Sequence, residues 1–337
     1  NINLNYWLFY LRRFMQRYLV NSPVLLIFYN RADKAKNILQ NLIDTKNNFS
    51  KLIIKVDGPK NEEDSIKVNK VIEMINLYKK NFNNLNISIE KKNLGLQQNI
   101  IRSIDDVLEK EETVIVLEDD QLVSKQFFEF CDLMLLRFKD NKKIFQISGS
   151  CYLPDRLKKN DIFFSKFADC VGWATWKRSW KKLRRKLSLY EVYKNNKIKN
   201  YYNDLSITHW FYEYLYREHT AFEKKGLWST WWQLSIIYEN GFCVNPMKNL
   251  AIHDGLDIES SPEHYNKSYE PKKKIICEEI LLSEIKNYNV EYAKELDKHN
   301  INMIKKTDPI FKILNRFKWV IKFYPRIYSL KNISKTI

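Results

Sequence analysis

The sequence is short of glycine, proline and cysteine, and it has no long hydrophobic run. Only seven Gly and eight Pro occur in 337 residues, and no internal repeat or low-complexity linker marks a clean domain break. The five Cys are an odd number without any CxxC pair, which argues against a disulfide scaffold or a zinc site and favours a reducing compartment. Arg12, Arg13 and Arg17 interrupt the apolar opening stretch, so residues 1–20 are expected to be a basic amphipathic segment rather than a membrane span.

The composition is that of a folded, strongly basic protein. Hydrophobic residues make up 45% and aromatic residues 14% of the chain, which excludes a disordered scaffold. Lys and Arg exceed Asp and Glu by 57 to 40, giving a net charge of +17. Such a charge favours a polyanionic partner, namely nucleic acid, an acidic membrane surface or a phosphorylated substrate. Because Asn, Lys and Ile are all abundant, part of this charge is also expected from composition bias.

Apolar runs alternate with amphipathic stretches through the first half of the chain. This alternation predicts strands that each lead into a helix, with a polar cluster where each strand ends. The predicted strands cover residues 23–29, 51–56, 86–90, 113–117 and 144–148. The spacing predicts an α/β fold with a mainly parallel sheet covered by helices on both faces and ligands at the carboxyl edge of the strands. Aromatic density rises after residue 150, where we expect the acceptor half to begin.

Three consecutive carboxylates, Glu118, Asp119 and Asp120, follow the most apolar strand. Adjacent negative charges repel one another, and a fold tolerates them only where solvent, hydrogen bonds or a cation offset that cost. Mn²⁺ and Mg²⁺ take oxygen ligands, typically one or two carboxylates together with diphosphate oxygens. The cluster therefore suits a metal-bound nucleoside diphosphate. The alternative is that the acids form a solvated loop or cap the next helix.

Six segments in a fixed order carry a family resemblance. They are PVLLIFYNR, KVDGPK, KNLGLQQNI, VIVLEDDQLVSKQFFEF, GWATWKRSW and PMKNLAIHDG, spread over about residues 23–264. Together they resemble bacterial GT-A glycosyltransferases related to N-acetylglucosaminyltransferase I and the family 2-like nucleotide-diphospho-sugar transferases. The resemblance implies a GT-A, Rossmann-like fold. It also implies transfer of a sugar from a nucleotide-diphosphate donor, a UDP-sugar foremost, to a hydroxyl of a bacterial surface glycan or lipid-linked acceptor.

The resemblance also implies roles for individual residues. Asp120, the last acid of the cluster, would ligate Mn²⁺ or Mg²⁺, while Glu118 and Asp119 would hold ribose or second-shell positions. Asp57 would lie by the nucleotide base, although taken alone it would be a simple turn residue before Gly58. The remaining residues expected to line or border the donor pocket are Asn30, Arg31, Asn93 and Gly95.

The sequence departs from the family at the catalytic base. The family carries a carboxylate between two tryptophans that deprotonates the acceptor hydroxyl, but here this region is Trp228-Ser229-Thr230-Trp231. The identity of the base and the stereochemical outcome therefore stay open. Because a general base needs only reach and a tuned pKa, the replacement candidates are Asp169, Glu223 and Asp254.

Two histidines and an aromatic block complete the candidate site. His253 and His264 lie near Gly255 and Asp257, where related enzymes place a loop that closes over the diphosphate. Either histidine could ligate metal or contact phosphate, or be an ordinary structural residue. Indole faces stack on sugars, so we expect an acceptor pocket, with plain core packing as the alternative. Its expected residues are Gly172, Trp173, Thr175, Trp176 and Trp228.

The C-terminal part predicts a basic amphipathic helix over residues 310–324. Such a helix could lie in an anionic headgroup layer, or pack on the catalytic domain with its lysines in water. We therefore divide the chain into the segment 1–20, a GT-A domain 21–265 with a nucleotide-binding half 21–150 and an acceptor half 151–265, and a basic helical extension 266–337. The expected location is cytoplasmic and peripheral to the inner membrane.

Three other functions are alternatives to the glycosyltransferase. A sugar-phosphate nucleotidyltransferase would normally carry a Gly-rich loop after its first strand, and the turn after PVLLIFYN contains no Gly. A nucleic-acid-binding protein would explain the charge of +17, but the most ordered motifs are acidic, so nucleic acid is not an expected partner. A degenerate, non-catalytic relative stays open because of the missing acid beside Trp228.

Overall fold

The computed structural model describes residues 18–151, 162–185, 196–204, 207–208, 211, 228–254 and 291–299. The strands are β1 (Leu19–Val20), β2 (Val24–Phe28), β3 (Asn48–Phe49), β4 (Leu52–Val56), β5 (Leu85–Ile89), β6 (Thr113–Glu118), β7 (Gln121–Val123), β8 (Ile144–Ser148), β9 (Ile162–Ser165), β10 (Trp173–Trp176), β11 (Phe242–Pro246) and β12 (Ala251–His253). The helices are α1 (Ala32–Asp44), α2 (Glu62–Tyr78), α3 (Leu96–Lys110), α4 (Phe127–Arg137), α5 (Lys177–Trp180), α6 (Lys197–Tyr202) and α7 (Trp228–Tyr238).

A central eight-stranded sheet organises the fold. Its strand order is β5-β4-β2-β6-β10-β8-β11-β9. The first four strands in this order are parallel, as predicted, and β8 and β11 are also parallel. β10 lies antiparallel between β6 and β8, and β9 is antiparallel to β11. Four of the seven pairings are therefore parallel, and the predicted mainly parallel α/β sheet is confirmed.

Helices cover both faces of this sheet. Adjacent residues of a strand point to opposite faces, and in β2 all five residues are buried. Leu26 packs with Ile38 of α1 and Phe128 of α4, whereas Leu25 packs with Ile104 of α3 and Trp232 of α7. A strand buried on both sides is continuously apolar because neither face meets water. The sheet is thus covered by helices on both faces, which is the Rossmann-like arrangement.

The predicted strands of the first half match the structure to within about one residue at each end. The fourth predicted strand extends by one residue, since β6 includes Glu118. After residue 150 the same sheet continues, because β9, β10 and β11 join the sheet that contains β8.

Several predictions fall on residues that the structure does not describe. They are residues 1–17 of the N-terminal segment, Glu223, His264, and almost all of the extension 266–337 with its predicted helix. Leu19 and Val20, at the end of the predicted N-terminal segment, form β1 and pair with β3. Among the helices within the described ranges, none has the length and hydrophobicity needed to cross a bilayer.

Candidate functional site

The polar clusters that end β2, β4 and β6 lie at one edge of the sheet. Ile27 of β2 is in register with Glu118 of β6, and Phe28 is in register with Val56 of β4. The carboxyl ends of parallel strands meet at the same edge, where open α/β sheets hold their ligands. Arg31 and the three acids are therefore neighbours although they are far apart in sequence.

Arg31 neutralises two of the three acids. Its guanidinium donates to the Asp119 carboxylate from Nη2 and, at 3.2 Å, from Nε. The same Nη2 also donates to Asp120 Oδ2 at 3.1 Å. The Asp119 side chain is 6% exposed and the Asp120 side chain 17%. Burial raises the pKa of Asp119 to about 6, although the charge of Arg31 opposes this rise. The Asp119 carboxylate thus contacts an arginine, and its side chain is less accessible to solvent than that of Asp120.

Asp120 lies between Arg31 and His253. β12 pairs antiparallel with β7, so that His253 is opposite Gln121, next to the acid cluster. His253 Nδ1 lies 3.6 Å from Asp120 Oδ1. Burial acts to raise the pKa of Asp120, but contact with His253 and Arg31 outweighs it and lowers the pKa to about 2. Burial acts to lower the pKa of His253, yet contact with Asp120 and the charge of Glu118 raise it above its ordinary value.

The third acid, Glu118, lies at the end of β6 in a strongly negative environment. Burial, followed by the charge of Asp120, raises the pKa of Glu118 to about 8, against the opposing charges of His253 and Arg31. A positive ligand would relieve this repulsion. The buried acid cluster is thus electrostatically suited to a cation.

The donor atoms around Asp120 fit a divalent cation such as Mn²⁺. Glu118 and Asp120 offer carboxylate oxygens and His253 offers an imidazole, a set that suits Mn²⁺ by chemistry. Within the described part of the chain, no three His, Cys, Asp or Glu side chains are already gathered as a metal site. Both Asp120 oxygens face positively charged or protonatable side chains instead. A metal bound here would therefore require these side chains to rearrange.

Asp254 faces α1 rather than the acid cluster. Its backbone N–H donates to Asp120 O at 2.6 Å. Asn37 Nδ2 donates to Asp254 Oδ2 at 2.9 Å, and Lys34 Nζ donates to Asp254 O and lies 3.7 Å from Oδ2. These contacts tie the end of β12 to α1 beside His253. Asp254 is placed to position His253, and its carboxylate is already engaged.

Asp57, expected beside the nucleotide base, holds a loop together. It is only 2% exposed. Its Oδ1 accepts from the N–H of Gly58 at 2.9 Å and of Leu94 at 2.8 Å, and its Oδ2 accepts from Gly95 N at 3.0 Å and Asn93 Nδ2 at 3.1 Å. Gly95 adopts φ +76°, which favours glycine, with open space where a Cβ would lie. Asp57 therefore shapes the predicted pocket wall, and a direct contact with the base stays a prediction.

Asn30, at the end of β2, is fixed by a residue that the sequence did not single out. Asp64, in the first turn of α2, accepts from Asn30 Nδ2 at 2.6 Å, from the Tyr29 hydroxyl and from Lys60 N at 2.9 Å. Burial acts to raise the pKa of Asp64, but the hydrogen bond from Tyr29 and the others outweigh it and lower the pKa. The only sequence signal for Asp64 was its place near a helix start.

Two buried glutamines hold the loop that carries Asp169. Gln121 Oε1 accepts from Glu118 N at 3.2 Å and Gly172 N at 2.8 Å, and its Nε2 donates to Cys170 O at 3.1 Å. Gln146 Nε2 donates to Asp169 O at 2.6 Å. The sequence signal for these glutamines was weak. Gln121 directly follows the acids, and Gln146 is a polar residue inside a wholly buried strand.

This loop emerges beside the acid cluster. In the antiparallel pairing of β10 with β6, Trp173 is opposite Val116. Before Trp173, the loop is instead bonded to Gln121, which directly follows the acids, through Cys170 O and Gly172 N. Burial acts to lower the pKa of His253, and the charge of Asp169 acts to raise it, as a smaller cause than Asp120 and Glu118. Of the two candidate bases within the described residues, both lie near the acids, but the Asp254 carboxylate contacts Asn37 and Lys34 of α1.

The aromatic block packs in the core. Trp173 stacks on Trp228 with ring centroids 5.5 Å apart, and Trp176 Nε1 donates to Leu135 O at 3.1 Å. A Cβ at Gly172, which has φ +57°, would lie 2.7 Å from Ala251 Cβ. The buried residues of the block are Trp173, Thr175, Trp176 and Trp228. This burial favours core packing over a pocket wall, and their role at an acceptor stays a prediction.

Comparisons with known proteins give a distant structural likeness. No protein-family model matches the sequence, and none of the curated proteins matches it either. The fold is similar to a mannosyltransferase from Pyrobaculum calidifontis in complex with GDP-Man and Mn²⁺, with 13% sequence identity and a TM-score of 0.30. The match covers 51% of this chain and 51% of that enzyme, so the chain spans about half its length.

Proposed function

We propose that this protein is a metal-dependent glycosyltransferase that moves a sugar from a nucleotide-diphosphate donor to an acceptor hydroxyl. The observation that carries the proposal is the cluster at the carboxyl edge of the sheet, where Glu118, Asp120 and His253 adjoin Arg31. A site that combines acidic metal donors with an arginine suits a diphosphate and its metal. The ordered motifs from residue 23 to residue 264 support a UDP-sugar as the donor.

Asp120, Glu118 and His253 are the residues that would hold the metal, and Arg31 would contact the diphosphate. A bound divalent cation supplies positive charge that neutralises the leaving diphosphate. Asp57 would keep the loop Asn93–Gly95 in place along the nucleotide. Because the Asp119 carboxylate is engaged by Arg31, a second-shell position suits it better than a direct metal contact.

Asp169 is the proposed general base. The acceptor hydroxyl would lose its proton to the Asp169 carboxylate as its oxygen bonds to the sugar C1 atom. The bond between C1 and the diphosphate oxygen breaks at the same time, and its electron pair leaves with the diphosphate. A displacement of this kind inverts the anomeric configuration. The hydrogen bonds from Gln121 and Gln146 to the backbone of this loop support a fixed position for the carboxylate.

Calorimetric binding of UDP, GDP and CMP, with and without Mn²⁺, tests the proposal. We expect one nucleotide to bind in a metal-dependent manner and Asp120→Asn to weaken that binding by at least about 100-fold, or ~2.7 kcal/mol. Asp140→Asn, which changes an exposed carboxyl on the α4–β8 turn, is the matched control. If none of the three nucleotides binds with Mn²⁺, the proposal fails in favour of a degenerate relative.

A bacterial surface glycan or lipid-linked acceptor, reached from the cytoplasmic face of a membrane, is proposed from the sequence alone. Its support is the basic amphipathic pattern of residues 1–20 and 310–324, which favours an anionic lipid surface. Co-sedimentation with vesicles containing acidic lipid checks this location. A full chain that stays in the supernatant at low salt would contradict it.

A further inference from the structure

Arg31 occupies the place of a cation in the acid cluster. Its Nε and Nη2 form a two-pronged contact with Asp119, and Nη2 extends to Asp120 Oδ2 at 3.1 Å. Paired contacts of this kind between guanidinium and carboxylate are strong and directional. Of the two contacts, the single bond to Asp120 is the weaker. The guanidinium can therefore leave Asp120 while it stays on Asp119.

Asp120 is also one of the residues proposed above to hold the metal. Arg31 holds its Oδ2, and His253 Nδ1 lies 3.6 Å from its Oδ1. A divalent cation that approaches Asp120 meets a permanent positive charge bonded to the same carboxylate. At these distances, in a mostly buried site, repulsion between like charges is large compared with thermal energy. Arg31 thus opposes metal binding as long as it stays on Asp120.

Arg31 also has unused capacity for an anion. A guanidinium has five N–H donors, and the Arg31 side chain is 30% exposed. Within the described part of the chain its contacts use Nε and Nη2, and Nη1 makes no hydrogen bond. Diphosphate oxygens are acceptors that match this geometry. A diphosphate at this edge would therefore compete with Asp120 for Arg31.

We propose that Arg31 couples metal binding to diphosphate binding. Asp120 is withheld from a divalent cation until a nucleoside diphosphate draws the guanidinium of Arg31 away, while Asp119 keeps the arginine in the site. This inference rests on the donor site proposed above. Coupling between two ligands is reciprocal, so each ligand alone binds weakly and the pair binds well. This coupling prevents tight binding of a free divalent metal when no nucleotide donor is present.

Direct titration of Mn²⁺ tests the coupling without any turnover. The signal of free Mn²⁺ in electron paramagnetic resonance disappears on binding, and it is measured with and without saturating UDP, GDP or CMP. The proteins are wild type, Arg31→Gln, and Arg102→Gln as the matched control. Arg102 is an exposed arginine of α3 paired with Glu90 at 3.5 Å. Calorimetry gives the nucleotide affinities of the same proteins without metal.

We expect Arg31→Gln to bind Mn²⁺ alone about 10-fold tighter than wild type, the size of one charged hydrogen bond. Its Mn²⁺ affinity with nucleotide stays within about threefold of wild type, so the coupling between the ligands falls about 10-fold. Its nucleotide affinity without metal falls. Arg102→Gln behaves as wild type.

Two outcomes overturn the inference while the proposed function stands. In one, nucleotide and Mn²⁺ bind together but Arg31→Gln binds Mn²⁺ alone no tighter than wild type. In the other, Arg31→Gln gains Mn²⁺ affinity but keeps its full nucleotide affinity without metal. If no nucleotide binds to the wild type with Mn²⁺, the donor site itself fails.

Removal of Arg31 leaves Asp119 as a buried charge without its partner, which could prevent folding. A second pair of variants avoids this difficulty. Asp119→Asn and the double variant Arg31→Gln/Asp119→Asn both lack the buried charge and differ only in Arg31. The double variant should bind Mn²⁺ alone about 10-fold tighter than the single one, and equal affinities would contradict the coupling.

Discussion

Asp57 illustrates how one buried carboxylate can hold two loop segments together. An ionised carboxylate offers about four lone-pair sites, and Asp57 fills them with two N–H donors on each oxygen. The donors belong to the turn after β4 and to the loop before α3. Loop backbone would otherwise be free to move, so the geometry of this part of the site depends on one side chain.

Asp57→Asn should therefore destabilise the fold and the loop together. The amide NH₂ replaces one acceptor oxygen and confronts two N–H donors, which should cost about 2 to 4 kcal/mol in the free energy of unfolding. Urea denaturation followed by circular dichroism measures this loss, with the exposed Asp140→Asn as control. A change below about 0.5 kcal/mol would show that the loop does not depend on Asp57.

At the level of elements, the sequence predicted those features that arise from local patterns. Each early strand is an apolar run that ends in a polar cluster, so β2, β4, β6 and their shared edge follow from periodicity and the geometry of parallel sheets. The insertion of β10 between β6 and β8 is a long-range pairing that no local pattern encodes. The burial of the tryptophans follows from that insertion. For the same reason, the links from Gln121 and Gln146 to the Asp169 loop were not predictable.

Substitution of Asp169, before β10, and of Asp254, after β12, should have different effects. Asp169→Asn should leave Mn²⁺-dependent nucleotide binding within about threefold of wild type and reduce turnover at least about 100-fold, because it removes only the proposed base. Asp254→Asn should weaken that binding about 10-fold, because it loosens the neighbouring His253, a proposed metal ligand. Calorimetry measures the nucleotide affinity of each variant. The release of nucleoside diphosphate from the matching nucleotide-sugar donor measures its turnover.

Asn37→Ala is the companion variant to Asp254→Asn. It removes the 2.9 Å hydrogen bond to Asp254 Oδ2 without changing any charge, so it should weaken nucleotide binding in the same direction. Full turnover in Asp169→Asn would exclude Asp169 as the base. Loss of turnover in Asp254→Asn with unchanged binding would instead identify Asp254 as the base.

On the scale of the whole molecule, buried acids connect stability to pH. Burial raises the pKa of Asp297 to about 7, against opposing hydrogen bonds from Ser165 and Lys166 N. Ser165 Oγ donates to Asp297 Oδ1 at 2.6 Å and Lys166 N to Oδ2 at 2.8 Å. The side chain thereby fastens residues 291–299 to the end of β9. Its ordinary pKa of 3.8 applies in the unfolded chain.

Between about pH 4 and pH 7, the folded chain therefore holds a proton on Asp297 that the unfolded chain has lost. Stability must then fall as pH rises through this window and level off above about pH 7, by up to roughly 4 kcal/mol from this residue. Asp297→Asn should abolish that part of the slope, even if the lost hydrogen bond lowers stability at every pH. Urea denaturation at pH 5, 6 and 7 measures both slopes, and their difference isolates Asp297 from the histidines and from other buried acids that titrate in the same range. Parallel slopes for wild type and variant would mean that Asp297 is ionised throughout this window in the folded protein, with Ser165 and Lys166 N sufficient to hold its charge in the core.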